Sequence, residues 1–287
     1  MPTEINALVA DARRRFRAAG IPADEAALDA RLLAQHILGW DAARLMTHGD
    51  EAASPELTRD YEALVARRVR REPLAYITGS REFWNLNIEV TPAVLIPRPE
   101  TELLIEAALE QFDRAQAIRV LDVCTGSGCV AVSLAREFVK ATVTASDLSE
   151  PALEVARRNV ERYGLTSRVR CVHADLLEGI TGPFDLIVAN PPYVPSGDQP
   201  TLQPEVREFE PVGALFAGPD GLEIIRRLLR QAPAALAREG LLIFEFGVAQ
   251  DEAIESLISA QPGLALVDVK HDLQDIPRVA VLQHVAG

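Results

Sequence analysis

From Arg119 onward the chain repeats one pattern: a short apolar run, a turn, and an amphipathic stretch. The runs are "RVLDVC", "ATVTASD", "RVRCVHAD", "FDLIVAN" and "GLLIFEF", with helical periodicity at 130–138, 151–163 and 221–237 between them. Apolar runs of strand length need cover on both faces, and the intervening stretches are long enough for crossover helices. The pattern therefore predicts an α/β fold with a parallel sheet between two helical layers. Two more runs, "LALVDVKHD" and "RVAVLQH", follow with only a short turn between them. Such a turn cannot make a parallel crossover, so one late strand must be antiparallel.

The chain before Arg119 reads differently. "INALVADARRRFRAAG" spaces Ile5, Leu8, Val9, Ala12 and Phe16 on one helical face and ends at Gly20, and "ADEAALDARLLAQHILG" repeats the pattern as far as Gly39. "SPELTRDYEALVARRVRRE" offers Ser54 as a cap and Pro55 at the first helical position. "REFWNLNIEVTPAVLIP" alternates and is rich in aromatic and β-branched residues, as a hairpin or extended linker would be, before "RPETELLIEAALEQF" returns to helix. The expected organisation is a helical bundle over 1–78, a hairpin or linker over 79–97, and the α/β domain over 98–287.

Composition excludes several classes. The formal net charge of -13 argues against a protein that tracks nucleic-acid phosphates. The densest basic run, "RRVRRE" at 67–72, reads as a solvated helix face. The three cysteines, Cys124, Cys129 and Cys171, have no metal spacing and no C-x-x-C pair, and their sparse odd count fits a reducing compartment. The five histidines are scattered, so no metal site is expected. No apolar leader or membrane-length run is visible, and a cytoplasmic location is expected.

The first strand–helix turn, "LDVCTGSGCVAVSLA", brings Gly126 and Gly128 to a helix start. Close glycines let backbone approach a ligand, and the helix start presents free N–H groups. Gly126, Gly128 and Ala131 also satisfy G-x-G-x-x-A, so a dinucleotide cofactor stays open beside a simple tight turn. Asp122 precedes the turn. Asp147 ends the second strand, where a carboxylate can bind both hydroxyls of a ribose or cap the next helix, although Ser149 can supply the cap. Asp175 ends the third strand and is placed either to accept from an adenine amino group or to sit solvated in a loop.

The fourth strand ends abruptly in "NPPY" at 190–193. Pro191 and Pro192 fix φ, remove two N–H donors and bar helix, leaving a stiff turn that exposes carbonyl oxygens. Asn190 adds an amide oxygen and Tyr193 a flat ring. The set suits a planar group carrying an NH2, with two acceptors for its hydrogens and a ring to stack on. A loop stiffened by prolines is the plainer alternative.

The segment 122–128 together with "NPPY" resembles S-adenosylmethionine-dependent methyltransferases that act on a planar NH2. The flanks narrow this. "REPLAYITGSREFWNLNIEVTPAVLIPRPETELLIE", "FEPVGALFAGPDGLEIIRRLL" and the ending "DLQDIPRVAVLQ" closely resemble the release-factor glutamine methyltransferase family. The resemblance spans nearly the whole chain, most weakly over the first sixty residues. Ribosomal-protein glutamine methyltransferases and adenine DNA methyltransferases share the tetrapeptide and remain alternatives. "IPRPETE" favours the release-factor branch, and neither the acidic balance nor the sequence shows a DNA target-recognition domain.

The resemblance implies a Rossmann-like, mixed seven-stranded sheet with S-adenosyl-L-methionine as cofactor. It places the cofactor on Cys124, Thr125, Gly126, Ser127 and Gly128, its ribose on Asp147, its adenine beside Asp175 and Leu176, and Asn190 between cofactor and substrate. It makes Asn190, Pro191, Pro192 and Tyr193 the substrate clamp, with Asn190, the Pro191 carbonyl and Tyr193 acting in catalysis. The implied partner is a class I peptide chain release factor docked with help from the helical domain. A monomer without membrane or nucleic-acid partner is expected. The family pattern often has Gly where this chain has Cys124, which narrows the space there. The resemblance places Arg98 near the cofactor side of the cleft, with an anchor for its proline-rich segment on a carboxylate as the plainer alternative, and for Glu245 a structural role ranks ahead of a catalytic one.

Overall fold

The computed structural model describes residues 3–285. Its contacts divide into two compact units, one running to Gly79 and joined by Gln203–Phe209, the other holding Ser80–Leu202 and the chain from Glu210.

In the first unit, helices Ile5–Ala18, Ala23–Leu38, Ala42–His48, Pro55–Val69 and Leu74–Thr78 pack around Phe16, Leu33, Tyr61 and Val65. Ser54 caps the fourth of these, its hydroxyl accepting from the Leu57 N–H at 3.1 Å, with Pro55 at the first helical position. The basic run at 67–72 is not a solvated face. Arg68 is 1 % exposed and donates to Asp29 at 2.7 Å, to Glu25 at 2.8 Å and to Glu205 at 2.8 Å. A guanidinium has five donors in a rigid fork, and three carboxylates converge on this one. Glu205 reaches it from the short helix Pro204–Phe209, which sequence reading assigned to the α/β domain.

The second unit opens with a hairpin, β1 (Ser80–Phe83) and β2 (Leu86–Glu89). Trp84 and Asn85 both take positive φ at its tip. The hairpin is tied down by Asn159, which accepts from the Glu89 N–H at 2.8 Å and donates to the Glu89 carbonyl at 3.0 Å. The main sheet follows: β3 (Arg119–Val123), β4 (Thr142–Asp147), β5 (Val169–His173), β6 (Phe184–Ala189), β7 (Leu236–Glu245), β8 (Leu264–His271) and β9 (Pro277–His284). The seven strands lie in the order β5-β4-β3-β6-β7-β9-β8. The first five are parallel, and β9 runs antiparallel to both neighbours.

Alternation along the strands sorts residues by face. Leu121, Ile187, Leu242 and Leu282 pack toward helices Glu223–Ala235 and Asp251–Ser259. Asp122 and Val188, one position on, and Glu245, three positions past Leu242, therefore lie on the opposite face. Two buried carboxylates on one sheet face are unusual cargo for a core. Both bear on the site described next.

Candidate active site

Between β3 and β6 the strand order reverses: the chain leaves β3 toward β4 and β5, then returns to the other side as β6. Crevices form at such points, outside the carboxyl ends of the strands. A cavity of about 350 Å³ lies there, lined by Asp122, Cys124, Thr125, Gly126, Ser127, Asp147, Asp175, Leu176, Asn190 and Pro192 among others. The structure thus gathers residues that are far apart in sequence. Gly128, Pro191 and Tyr193 are not in the lining.

The glycine turn is held from below. Asp122 is buried, and its Oδ2 accepts from the Thr125 hydroxyl at 2.5 Å and the Ala131 N–H at 3.1 Å. Burial pushes its pKa up to about 7, against these two hydrogen bonds. Gly128 takes φ +78, and a Cβ there would stand 3.1 Å from the Ala156 Cβ. Gly128 lets helices Cys129–Glu137 and Glu150–Arg162 approach closely. Cys124 has φ +59, a left-handed value that favours glycine and costs another residue about 1 kcal/mol. Burial pushes its thiol well above the usual range, so no thiolate is available there.

Asp147 is not a helix cap. Ser149 caps the next helix, accepting from the Ala152 N–H at 3.3 Å. The Asp147 oxygens accept from the Gly126 N–H and the Ser149 N–H, each at 2.9 Å. A carboxylate has about four lone-pair sites, so capacity for two more donors remains. Asp175 lines the cavity and is paired with Arg227 at 2.8 Å. The Ser127 hydroxyl is buried in the lining with no hydrogen-bond partner among the described residues, a cost that a bound polar group would remove.

At the far side, the Asn190 amide Nδ2 donates to the Thr101 hydroxyl at 3.0 Å, which donates to Glu245 Oε2 at 2.7 Å. Tyr193 donates its phenol to the other Glu245 oxygen at 2.9 Å, and its carbonyl accepts from Gln250 at 3.0 Å. The ring is partly buried against the core and lies outside the cavity lining. A buried phenol needs a polar partner, and the buried Glu245 supplies it. Arg98 does anchor its segment: it donates to Glu210 at 2.6 Å, and Glu210 also accepts from the Ile96 N–H at 3.3 Å.

Sequence reasoning did not single out Thr101. It lies in the charged run "RPETE", and nothing local marks its hydroxyl. Glu245 had one signal, a carboxylate inside the apolar run "LLIFEF".

Of the three lining carboxyls, Asp122 is partly protonated near pH 7 and Asp175 is offset by Arg227, so the negative field rests mainly on Asp147, and no lysine or arginine among the described residues lines the cavity. That field favours a cationic group over an anionic one. No group of residues suited to hold a metal ion occurs among the described residues.

Residues 7–79 match the family model for the PrmC N-terminal domain, and residues 99–204 match the methyltransferase small domain. A release factor glutamine methyltransferase of Cereibacter sphaeroides is 44% identical over 266 residues, 92% of this chain and 93% of the relative. That of Rhodospirillum rubrum is 40% identical over 273 residues, 95% of this chain and 83% of the relative. The chain belongs to the release factor glutamine methyltransferase family.

This release factor glutamine methyltransferase family member shares its fold with more distant enzymes. A methyltransferase from Pyrococcus furiosus superposes with a TM-score of 0.53 at 22% identity, covering 76% of this chain and 98% of that one. The hMettl16 catalytic domain, solved with an MAT2A 3'UTR hairpin, gives 0.56 at 15% identity, covering 88% and 90%. The match over 99–204 spans Thr101, the glycine turn, Asp147, Asp175 and "NPPY", and ends before Glu245.

Proposed function

We propose that this methyltransferase moves a methyl group from S-adenosyl-L-methionine to the side-chain amide nitrogen of the glutamine in the Gly-Gly-Gln motif of class I peptide chain release factors. The observation that carries the reading is the Asn190 amide, which lines the cavity while its NH2 is engaged by Thr101, and in this reading its oxygen serves the substrate. The curated relatives named for this activity support the substrate.

The residues fit the cofactor. Cys124, Thr125, Gly126 and Ser127 would hold its methionine end, and the orphaned Ser127 hydroxyl would gain a partner. Asp147 would take the ribose hydroxyls with its remaining lone pairs, and Asp175 and Leu176 would flank the adenine. The acidic lining suits a sulfonium cation. When bound, the cofactor supplies an electrophilic methyl group.

The chain supplies position and polarity. An amide nitrogen is a poor nucleophile because its lone pair is delocalised into its carbonyl. The Asn190 oxygen accepts from the substrate NH2 and draws charge onto nitrogen as it attacks, an interaction that strengthens in the transition state. The Pro191 carbonyl is the second acceptor in this reading, and Pro192 walls the cavity. Holding nitrogen in line with the methyl contributes most of the rest. An N-methylated, protonated amide is strongly acidic, so no dedicated base is required.

The acidic charge fits a protein partner rather than nucleic acid. No described helix is long and apolar enough to cross a membrane. A cytoplasmic location and a monomeric state belong to the same proposal. The test is mass spectrometry of an unmodified release factor after incubation with enzyme and S-adenosylmethionine. One added methyl on the motif glutamine is expected. Label moving only to ribosomal protein or DNA overturns the substrate and keeps the chemistry.

A further inference from the structure

Thr101 is buried at 2 % exposure in the short turn Pro99–Thr101, and Glu245 is buried at 1 % at the end of β7. They are 144 positions apart, yet the hydroxyl donates to the carboxylate at 2.7 Å. A threonine hydroxyl has one hydrogen and two lone pairs. Its hydrogen is committed to Glu245, so toward Asn190 it can only accept. The end of the Asn190 amide that meets it must therefore be the NH2, at 3.0 Å. An Asn amide is nearly the same shape either way round, and its hydrogen-bond partners decide the orientation.

Glu245 is fit to impose this logic. A carboxylate accepts only, and both of its oxygens are taken by hydroxyl donors, Thr101 on one and Tyr193 on the other. The Tyr193 phenol remains protonated, because burial and the adjacent carboxylate push its pKa well above the usual range. Burial raises Glu245 only to about 6, against the hydrogen bonds from Thr101 and Tyr193, so near neutral pH it is mostly ionised. Glu100 raises this value further and Arg278 lowers it.

We propose that Thr101 and Glu245 are positioning residues that lock the Asn190 amide with its oxygen toward the cavity. This rests on the reading of Asn190 as the acceptor for the substrate NH2. Without the lock, an inverted amide would present a donor to a donor, and the substrate nitrogen would be repelled at the point where it must be held. Tyr193 acts here too: its phenol occupies the second Glu245 oxygen and keeps the carboxylate turned toward Thr101.

The test compares Thr101→Val, which keeps the shape and removes the hydroxyl, with Thr101→Ser, which keeps the hydroxyl. Thr101→Val is expected to lose about 10- to 100-fold in kcat, the range for residues that orient a functional group through another. KM for S-adenosylmethionine should stay within about threefold, since Asn190 orientation acts on the nucleophile. Thr101→Ser should recover most of the lost kcat. Wild-type kcat in Thr101→Val, or a Thr101→Ser loss as deep as that of Thr101→Val, overturns the proposal.

A second readout needs no substrate. The Asn190 side-chain NH2, assigned by its loss in Asn190→Ala, should exchange with solvent slowly in 15N NMR spectra of the wild type and of Thr101→Ser, and quickly in Thr101→Val. Equal exchange in all three overturns the lock. A wild type that shows the protected NH2 but methylates no release factor would overturn the substrate reading and leave the lock standing.

Discussion

Arg71 and Glu205, 134 positions apart, meet in a two-point ion pair, with Nε to Oε1 at 2.6 Å and Nη2 to Oε2 at 2.6 Å. Arg68 donates to the same Oε1 at 2.8 Å. Burial alone would raise the Glu205 pKa, but the hydrogen bonds from Arg71 and Arg68 outweigh it and leave the carboxyl below its ordinary value. Together with Arg68, the pair ties the Gln203–Phe209 segment to the helical unit in which it lies.

Glu205→Ala removes one counterion from the buried Arg68 and both carboxylate contacts with Arg71. The expected cost is about 3 kcal/mol, read as a lower Tm. Because the folded pKa is depressed, this stabilisation is present above the ordinary carboxylate range and is lost as pH falls below it. The Tm gap between wild type and variant should therefore shrink in acid; a gap that widens would contradict the assignment.

Asn190 and Asp147 should separate chemistry from cofactor binding. Asn190→Ala is expected to lose about 100-fold or more in kcat with little change in cofactor affinity. Asp147→Ala should weaken S-adenosylmethionine binding by about tenfold, and it also strips an acceptor from the Gly126 N–H. Calorimetric affinity beside turnover distinguishes them, and normal turnover in Asn190→Ala would refute the mechanism.

Asp122 predicts an unusual pH response. Its carboxyl moves from 3.8 up to about 7 on folding, so the folded chain holds a proton that the unfolded chain has released. Its contribution to stability is full below the unfolded value and is lost as pH rises through about 7. Asp122→Asn removes the titration. Relative to that variant, the wild type should lose about 2 to 3 kcal/mol between about pH 5 and about pH 8 in urea unfolding. A pH-independent difference would show that Asp122 is already ionised at the lower pH.

Gly221 braces the substrate loop from behind. It takes φ +73, and a Cβ there would stand 2.2 Å from the Tyr193 carbonyl oxygen and 2.8 Å from Gln250 Nε2. Gly221→Ala must displace the carbonyl that Gln250 holds. A loss of about 2 kcal/mol or more is expected, with turnover falling in the fraction that remains folded. Thermal unfolding and single-turnover rates check both parts.

Much of the architecture was legible because its signals are local. Apolar runs of strand length, helical periodicity and the caps at Ser54 and Ser149 depend on residues close in sequence. The glycine turn and "NPPY" could be read as site elements because strand ends of a parallel sheet share one edge. The short helix Ala42–His48 carried too few periodic residues to announce itself, and the same holds for Leu74–Thr78.

What only the tertiary structure decided concerns partners. Sequence spacing places a side chain on a face or an edge, but hydrogen bonds between distant residues depend on where the sheet brings them. So Gly128 packs beside Ala156, and the Tyr193 phenol finds its partner in Glu245. The run at 67–72, which charge alone made a solvated surface, buries Arg68 because Asp29, Glu25 and Glu205 converge on it. The sequence by itself determined the sheet, the turn and the residues at its edge. The fold decided which of their atoms face the cavity, because a buried donor or acceptor goes wherever a partner lies within about 3 Å, however far that partner lies along the chain.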